Sequence, residues 1–377
     1  MIGVVFPFMH MAYYITVHGY GHGVRSSDII AALLERHPDV RVTVTTDLPE
    51  GFLRSRLPLA DGRLVVRPGA FDVGMVQKDS IRVDVDATLE DALELVDERG
   101  RLVDYEAEFL RGEGADLVVA DIPSIPMESA AEAGIPAVAV GNFSWDWIYA
   151  PFRERHPGWA RVIRLFEEGY GRAERLLKLP FSPAMPVFHR QTELPLLARP
   201  GRERRAELAA MTGADPGKRW VLLSFMTLAW DEAALREVEG LRDWEFFTVM
   251  PLSWPGHPRI HAVDREAVGF SDVLASADVA VSKPGYGILS DCVANARTLV
   301  YAEREDFIEY PLLERELKRY LRNVHIPAAD LYAGRLRAAL EAAESAPAPC
   351  ETLAAGGADI AADFLAARIQ GVEDPRF

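Results

Sequence analysis

Short apolar runs alternate along the chain with stretches that are apolar on one side only. The run 13–17 combines aromatic and β-branched residues, which predicts a buried strand. The stretch 26–34 has the apolar spacing of an amphipathic helix, and the run 40–45 predicts the next strand. A strand, a helix and a second strand in this order are typical of a βαβ unit with parallel strands.

The same alternation continues through both halves of the chain. Further strands are predicted at 117–121, 136–140, 220–224, 246–250, 277–280 and 298–301. Helices are predicted over 89–110, 127–133 and 161–177, and from about residues 328 and 352 onward. The predicted fold class is therefore α/β, with two doubly wound Rossmann-like domains.

A proline-rich segment separates the two series of strands and helices, because five prolines fall between residues 180 and 200. We expect an N-terminal domain over residues 1–185 and a linker over 186–202. A C-terminal domain is then expected over 203–350. Residues 351–377 are predicted to form a terminal helix that crosses back to the N-terminal domain.

The composition of the chain argues against nonspecific nucleic-acid binding. The chain has 377 residues, of which 49% are hydrophobic and 26% charged, with a net charge of −16. So acidic a chain has no broad basic face for nonspecific nucleic-acid binding, although a local group of donors could still hold one anionic ligand. Its two cysteines, Cys292 and Cys350, are too few for a disulfide framework, which predicts a cytoplasmic protein.

The apolar N-terminus is too short to cross a bilayer. Residues 1–10 lack the basic region and the small-residue cleavage site of a signal peptide. We expect them to be a disordered extension or a piece of edge strand. No other run approaches transmembrane length, so no transmembrane segment is predicted.

Two glycine-rich turns lie where a predicted strand leads into a helix. In the later one, Gly285 and Gly287 would let an anion approach the backbone at the positive end of the helix. Lys283 adds a positive charge, and Asp291, about one turn further on, could accept hydrogen bonds from a ribose diol. This pattern predicts a seat for a nucleotide diphosphate, and the alternative is an ordinary tight turn in a βα unit.

The earlier glycine turn carries two candidate bases. His22 begins the first helix and could take a proton from an acceptor hydroxyl, with His18 as the rival base. Asp121 ends a buried strand and could be the base, orient His22 or cap a helix. Asp146, in an aromatic loop after the strand 136–140, has the same open alternatives as base or orienting group.

The aromatic loop itself has two interpretations. Trp145, Trp147 and Tyr149 could stack on the face of an acceptor sugar, or they could fill the core between strands and helices. Two further features of the sequence argue against a metal-binding or ATP-hydrolysing site. The Asp-x-Asp at residues 84–86 lies away from any predicted nucleotide loop and is interpreted as chance, and no Gly-Lys-Ser/Thr phosphate loop is present.

The whole pattern resembles the GT-B glycosyltransferases, in which two Rossmann-like domains face each other across a cleft. The glycine turn is similar to the donor site of the peptidoglycan lipid-intermediate GlcNAc transferases, although Asp291 stands where those have glutamate. A closer resemblance is to the non-kinase N-terminal region of L-arabinokinases, which implies a transferase-like module without the kinase part. The shared stretches are 14–22, the Asp-x-Gly-x-Val-Gln of 72–77, 119–121, 142–149, 179–180, 185–186, the Lys-x-Gly-Tyr-Gly of 283–287 and 304–309.

The resemblance implies residues for each side of the site. For the nucleotide and donor sugar they are Ser224, Phe270, Lys283, Gly285, Tyr286, Gly287, Asp291, Arg304, Asp306 and Glu309. For the acceptor side they are Gly21, Arg25, Gln77, Asn142, Trp145 and Asp146, beside the catalytic candidates His22, Asp121 and His18. One departure is the segment 225–227, Phe-Met-Thr, where relatives carry a glycine-rich loop that offers more free amides.

The predicted function is transfer of a sugar from a nucleotide-diphosphate sugar, with UDP favoured, to an unknown acceptor. The reaction is expected to be metal-independent and inverting, with no metal site and no cofactor beyond the nucleotide-sugar substrate. Two alternatives stay open. One is a nucleotide-sugar 2-epimerase, with Asp121, Asp146 and Glu309 as acids and bases. The other is a catalytically inactive module that binds nucleotide sugars.

Overall fold

The computed structural model describes residues 8–58, 62–77, 83–304 and 307–372. Asp306 of the predicted donor site and residues 1–7 of the predicted N-terminal extension lie outside the described residues. The chain forms two compact units. The first is drawn from Met1–Val76, Asp84–Leu197 and Gly356–Phe377, and the second from Gln77–Val83 and Ala198–Ala355.

A seven-stranded parallel sheet forms the centre of the first unit. Its strands are β1 (Met9–Ile15), β2 (Val40–Thr45), β3 (Leu64–Arg67), β4 (Leu117–Asp121), β5 (Ala137–Gly141), β6 (Arg175–Lys178) and β7 (Gln191–Glu193). The order across the sheet is β3-β2-β1-β4-β5-β6-β7, so β1 and β4 are neighbours in the middle. Their near-continuous apolar sequences suit strands that are covered on both faces.

Helices cover this sheet and connect its strands. They are α1 (Tyr20–Arg36), α2 (Glu50–Arg56), α3 (Val85–Gly112), α4 (Ile125–Ala133), α5 (Trp145–Tyr149), a 3₁₀ turn (Ala150–Phe152) and α6 (Gly158–Tyr170). The Asp84 side chain caps α3 by accepting a hydrogen bond from the backbone N–H of Ala87 at 3.1 Å. This capping bond accounts for the first carboxylate of the Asp-x-Asp sequence.

Two predictions in this unit are wrong in part. The helix predicted over 161–177 ends at Tyr170, and Leu176 and Leu177 are instead buried in β6, which pairs with β5 and β7. Met9 and His10 begin the central strand β1 and are neither disordered nor at an edge. His10 tolerates this burial because its Nε2 lies 2.8 Å from the hydroxyl of Thr43.

The second unit repeats the architecture with six parallel strands. They are β8 (Arg219–Ser224), β9 (Trp244–Val249), β10 (Ile260–Val263), β11 (Val279–Ser282), β12 (Thr298–Tyr301) and β13 (Asn323–His325). The order is β10-β9-β8-β11-β12-β13. The helices are α7 (Arg205–Thr212), α8 (Glu232–Glu239), α9 (Phe270–Ser276), α10 (Tyr286–Ala294), α11 (Glu309–Tyr320), α12 (Ala328–Tyr332) and α13 (Arg337–Glu344).

The last helix, α14 (Gly357–Ile369), belongs to the first unit, where Ala361 and Leu365 are buried in the same core as Ile29 and Leu33 of α1. The segment 186–202, predicted as a linker, contains the edge strand β7, and the two units meet in sequence between residues 197 and 198. Within the described ranges, no helix is long and apolar enough to cross a membrane.

The strand order places each candidate site. In both units the chain runs outward from a central strand, returns, and winds outward on the other side, as in doubly wound folds. Ligands of such sheets bind beyond the carboxyl ends of the strands where the winding direction changes. Those positions are the ends of β1 and β4 in the first unit and of β8 and β11 in the second.

Candidate functional site

His22 and Asp121 meet at the carboxyl edge of the first sheet. His22 lies in the first turn of α1, which follows β1, and Asp121 is the last residue of the neighbouring strand β4. The imidazole Nδ1 is 2.9 Å from the carboxylate Oδ1. The adjacency of the two strands therefore brings together a histidine and an aspartate that are 99 residues apart in sequence.

The Asp121 carboxylate has no solvent exposure and is surrounded by donors. Arg25 Nε donates to its Oδ2 at 2.7 Å, Ser26 Oγ donates to the same oxygen at 2.7 Å, and Arg25 Nη2 reaches Oδ1. Burial alone would raise the pKa of Asp121, but the charges and hydrogen bonds of Arg25 and His22 hold it well below its usual range. Asp121 is thus a fixed anion at neutral pH.

The same surroundings keep His22 neutral. Burial lowers the pKa of His22, and the positive charge of Arg25 lowers it further, against the opposing effect of Asp121. Nδ1 lies 2.9 Å from Asp121, which only accepts hydrogen bonds, and 2.8 Å from Arg25 Nη2, which only donates them. Because Arg25 Nη2 already donates to Asp121 Oδ1, we assign the proton of the neutral ring to Nδ1. This assignment leaves the lone pair of Nε2 free to take a proton.

Asn142 and Arg25, both predicted on the acceptor side, are part of the network around Asp121. Arg25 Nη1 donates to Asn142 Oδ1, and Asn142 Nδ2 donates to the carbonyl of Pro180 at 2.6 Å. Their polar groups are therefore engaged within the protein, so they hold the His22–Asp121 pair in place.

A second histidine and aspartate lie beside the first pair. His18 Nε2 is 3.7 Å from Oδ1 of Asp72, a buried carboxylate that also accepts from Thr16 Oγ1 at 2.9 Å and from Trp145 Nε1 at 2.7 Å. The His18 side chain is 31% exposed. Sequence reasoning gave Asp72 no role, although it opens the Asp-x-Gly stretch that supports the family resemblance.

Of the two interpretations of the aromatic loop, stacking on an acceptor sugar does not fit Trp145 and Tyr149. Trp145 is 4% exposed and Tyr149 is fully buried, and their rings stack on each other at 5.6 Å. Tyr149 also donates its hydroxyl hydrogen to the Val73 carbonyl. The alternative interpretation, core filling, accounts for both side chains.

Other predicted acceptor-side residues are dispersed. Asp146 is half-buried in the first turn of α5, where burial raises the pKa of its carboxyl. Gln77 pairs with Val83 in an isolated antiparallel bridge. Gly21 is exposed, and a Cβ added there would meet no atom within 4 Å.

The glycine turn of the second unit is open. β11 ends at Ser282 and α10 begins at Tyr286, so Gly285 and Gly287 lie at the start of the helix. A Cβ added at either glycine would meet nothing within 4 Å, and Gly285, the residue before the helix, has no side chain with which to cap the first turn of α10. The first N–H groups of α10 and the positive end of its dipole are therefore suited to an anion.

Charged groups surround this turn. Burial raises the pKa of Glu309 at the start of α11, while the positive charges of Arg304 and Lys283 act to lower it. Burial lowers the pKa of Arg304 to about 10, and its guanidinium carbon lies 3.2 Å from the centroid of the Phe307 ring. One carboxylate and two cations thus influence one another here.

Three further predicted donor residues lie on the same unit. Ser224 ends β8, and its carbonyl accepts a hydrogen bond from Ser282 Oγ at 2.8 Å. Phe270 begins α9 and is half-buried, as is Asp291 in the middle of α10. Across the described ranges, no group of three His, Cys, Asp or Glu side chains has the geometry to hold a metal ion.

No protein-family profile matches the chain. A search of curated proteins finds L-arabinokinase from Arabidopsis thaliana, which is 31% identical over 361 residues. The match covers 94% of this chain but only 34% of that protein. The chain therefore spans about a third of the length of the curated relative that it matches.

Solved structures agree with the two-unit architecture. The calicheamicin glycosyltransferase CalG4 matches with a TM-score of 0.62 at 17% identity, covering 98% of this chain and 100% of its own. UGT89C1 of Arabidopsis thaliana, complexed with UDP-L-rhamnose, matches with a TM-score of 0.59 at 15% identity, covering 97% and 100%. The chain has the GT-B fold. A putative UDP-N-acetylglucosamine 2-epimerase of Listeria monocytogenes has a TM-score of 0.58 at 14% identity, covering 98% and 99%.

In this GT-B chain, the structure brings together His22 and Asp121, which sequence reasoning had singled out, but that reasoning missed several residues around His18 and Asp121. These are Thr16, Ser26, Asp72 and Gly74. A sequence signal existed for Asp72 and Gly74, since both lie in a stretch quoted for the family resemblance. Thr16 also lies in a quoted stretch, 14–22, whereas Ser26 offered no signal, because a hydroxyl residue in a helix is commonplace.

Proposed function

We propose that the chain is a glycosyltransferase that moves a sugar from a nucleotide-diphosphate sugar to a hydroxyl of an acceptor. The observation that carries the proposal is the buried pair of His22 and Asp121 at 2.9 Å, with the imidazole kept neutral. A neutral imidazole with one nitrogen bonded to a fixed carboxylate is the arrangement of a general base.

The proposed reaction is a single displacement at the anomeric carbon of the donor sugar. Nε2 of His22 takes the proton of the acceptor hydroxyl while the acceptor oxygen bonds to the anomeric carbon of the donor. The bond from that carbon to the diphosphate oxygen breaks, and the nucleoside diphosphate leaves with the electron pair. Attack from the face opposite the leaving group inverts the anomeric configuration. Asp121 stabilises the imidazolium that forms.

The second unit would hold the donor. The open N-terminus of α10 at Gly285 and Gly287, together with Lys283, would stabilise the negative charge that develops on the diphosphate. Fixed backbone dipoles can do this without a metal ion, so we propose a metal-independent reaction. Asp291 would bind the ribose, and Arg304 and Glu309 the hydroxyls of the donor sugar.

UDP is the favoured nucleotide. The support is that UGT89C1 is described in complex with UDP-L-rhamnose, and that the epimerase of similar fold is named for a UDP-sugar. L-arabinokinase does not identify the acceptor, because the chain matches only 34% of that protein.

Binding and turnover should be measured on the full chain. Isothermal titration with UDP-, GDP- and dTDP-sugars should give micromolar binding for at least one class, and a matched Lys283→Met variant should weaken it. Release of nucleoside diphosphate in the presence of an acceptor panel should depend on His22. A chain that binds no nucleotide sugar at micromolar concentration would contradict the proposal.

A nucleotide-sugar 2-epimerase is the second candidate. It is favoured by the similar fold of the Listeria protein and by the raised pKa values of the Asp146 and Glu309 carboxyls, since a protonated carboxyl can act as an acid. NMR of a UDP-sugar incubated without acceptor separates the two functions. An epimerase changes the configuration of the sugar, whereas a transferase leaves the sugar unchanged or slowly hydrolyses the donor.

A further inference from the structure

Three neighbouring residues restrict the orientation of the partly exposed His18 side chain. Its Nε2 faces the buried Asp72 carboxylate at 3.7 Å, and its ring meets the Trp145 ring edge-on, with 5.5 Å between centroids. On another side lies Gly74, where an added Cβ would overlap the imidazole ring. A carboxylate, an aromatic ring and a glycine thus fix the orientation of a side chain that is 31% exposed.

The Asp72 carboxylate is itself immobile. It is 5% exposed, and it accepts from Thr16 Oγ1 at 2.9 Å and from Trp145 Nε1 at 2.7 Å. A buried carboxylate is costly to maintain unless hydrogen bonds compensate for the loss of water. The Asp72 carboxylate lies behind the exposed imidazole of His18. A carboxylate in this position fixes the orientation of an imidazole that binds a ligand.

The two histidine–carboxylate pairs share one structural support. The His22 ring meets Phe143 edge-on at 5.6 Å, Phe143 meets Trp145 at 5.0 Å, and Trp145 meets His18 at 5.5 Å. Both histidines follow β1, at the carboxyl edge of the same sheet. One row of aromatic rings therefore positions both imidazoles, which are four residues apart in sequence, at this edge of the sheet.

We propose that His18 is a binding residue for a second hydroxyl, so that the molecule bound at the His22 edge is a polyhydroxylated compound such as a sugar or cyclitol. Nε2 of His18 faces Asp72, and Nδ1 is the atom that contacts the second hydroxyl. A monohydroxyl alcohol would engage His22 alone. This inference rests on the proposed function and names the chemical class of its acceptor.

The inference is tested by NMR on the full chain with its nine histidines labelled with ¹³C at Cε1. The probes are myo-inositol, a polyol, and ethanol, a monohydroxyl alcohol. We expect myo-inositol to shift the signals of both His18 and His22 with one Kd. His18→Gln should raise that Kd about fivefold to tenfold, the loss of one hydrogen bond, and leave the weaker effect of ethanol unchanged.

A second variant displaces the imidazole without removing it. Gly74→Ala should push the His18 ring out of its position and reproduce the loss of affinity for myo-inositol. His189→Gln, at an exposed histidine of the first unit, is the matched control and should change nothing. Near-ultraviolet circular dichroism verifies that each variant keeps its tertiary structure.

The outcomes separate this inference from the proposed function. If myo-inositol binds nowhere, shifts His22 alone, or binds His18→Gln as tightly as the parent chain, the role of His18 is refuted. If it binds at both histidines but no nucleotide sugar is ever bound or turned over, the transferase proposal fails while the polyol site stands. If sugar transfer occurs at equal rates to myo-inositol in parent and His18→Gln chains, only the His18 inference fails.

Discussion

In the first unit, β1 and β4 are the central neighbours of the sheet, and in the second unit β8 and β11 take the same places. Beyond β4, the edge is filled by the protein's own polar side chains, with Asp121 bonded to His22, Arg25 and Ser26. Beyond β11, the equivalent edge is open backbone at Gly285 and Gly287. The same topological position is thus filled by bonded side chains in one unit and has open space at two glycines in the other.

The difference follows from what each kind of chemistry requires. A proton acceptor needs one nitrogen at a defined place with a defined protonation state, and buried charges around His22 provide both. A diphosphate is large and carries its own charge, so it needs space and convergent N–H groups rather than fixed side chains. The comparison predicts that substitutions in the first unit disturb chemistry and stability, whereas substitutions at the turn of the second disturb ligand affinity.

The largest expected effect is at His22. Replacing His22 by Ala removes the proposed base, and we expect the rate of transfer at saturating donor to fall by about 10²- to 10⁴-fold. The affinity for nucleoside diphosphate should stay within about twofold, because the turn at Gly285 belongs to the other unit. Steady-state kinetics and isothermal titration on the same preparation measure the two quantities.

His189→Ala serves as the control, since His189 is an exposed histidine of the same unit. A His22→Ala chain that keeps its rate but loses its nucleotide would reverse the roles that we give to the two units.

The second effect is on stability. Asp121→Asn removes the charge that pairs with Arg25 and His22 in a fully buried position. We expect the free energy of unfolding to fall by about 3 kcal/mol. Asp291→Asn in the second unit changes a half-buried carboxyl on α10 and should cost less than about 1 kcal/mol. Urea unfolding at pH 7 compares the two, and equal losses would remove the contrast between closed and open edges.

The sequence predicted the fold well because the strands are short apolar runs bounded by turn residues. It also predicted that His22, Asp121 and the turn at Gly285 and Gly287 follow or end strands, which is the edge where a parallel sheet binds ligands. It could not predict which polar groups would meet. Asp121 could equally have been a base, an orienting group or a cap until its register against β1 was known.

The sequence could not decide between the two interpretations of the aromatic loop for a related reason. Trp145 and Tyr149 lie on a helix of five residues, too short to show which face is buried. Their burial depends on contacts distant in sequence, such as the bond from Trp145 to Asp72. In the same way, Arg175–Lys178 became a strand because β5 and β7 lie on either side of it, which no local pattern reveals.

The third effect is on affinity. Gly287→Ala places a methyl group in the open space at the start of α10, and we expect nucleoside diphosphate to bind about tenfold more weakly while stability changes by less than about 1 kcal/mol. Gly23→Ala is the matched change in α1, where the added Cβ would lie 2.6 Å from Leu48 and 2.7 Å from Phe52.

Gly23→Ala should therefore destabilise the first unit by about 1–3 kcal/mol without weakening nucleotide binding. Titration calorimetry and thermal unfolding of both variants test whether one variant loses affinity and the other loses stability. If Gly287→Ala unfolds easily and binds normally, the turn is a structural element and not a seat for a diphosphate.

The smallest effect concerns the pH dependence and depends on the charge of Arg25. That charge lowers the pKa of His22, and Asp121 acts in the opposite direction, so removing the charge in Arg25→Gln should raise the pKa of His22. A base with a higher pKa is protonated at a higher pH. The acid limb of the rate profile should then move upward in pH, with the rate at pH 6 falling a few-fold relative to that at pH 8. Arg25→Lys keeps the charge, so its acid limb should stay close to that of the parent chain. Coincident profiles for the two variants would mean that Arg25 acts on the shape of the site rather than on the protonation of His22, and the first unit would then owe its neutral imidazole to burial alone.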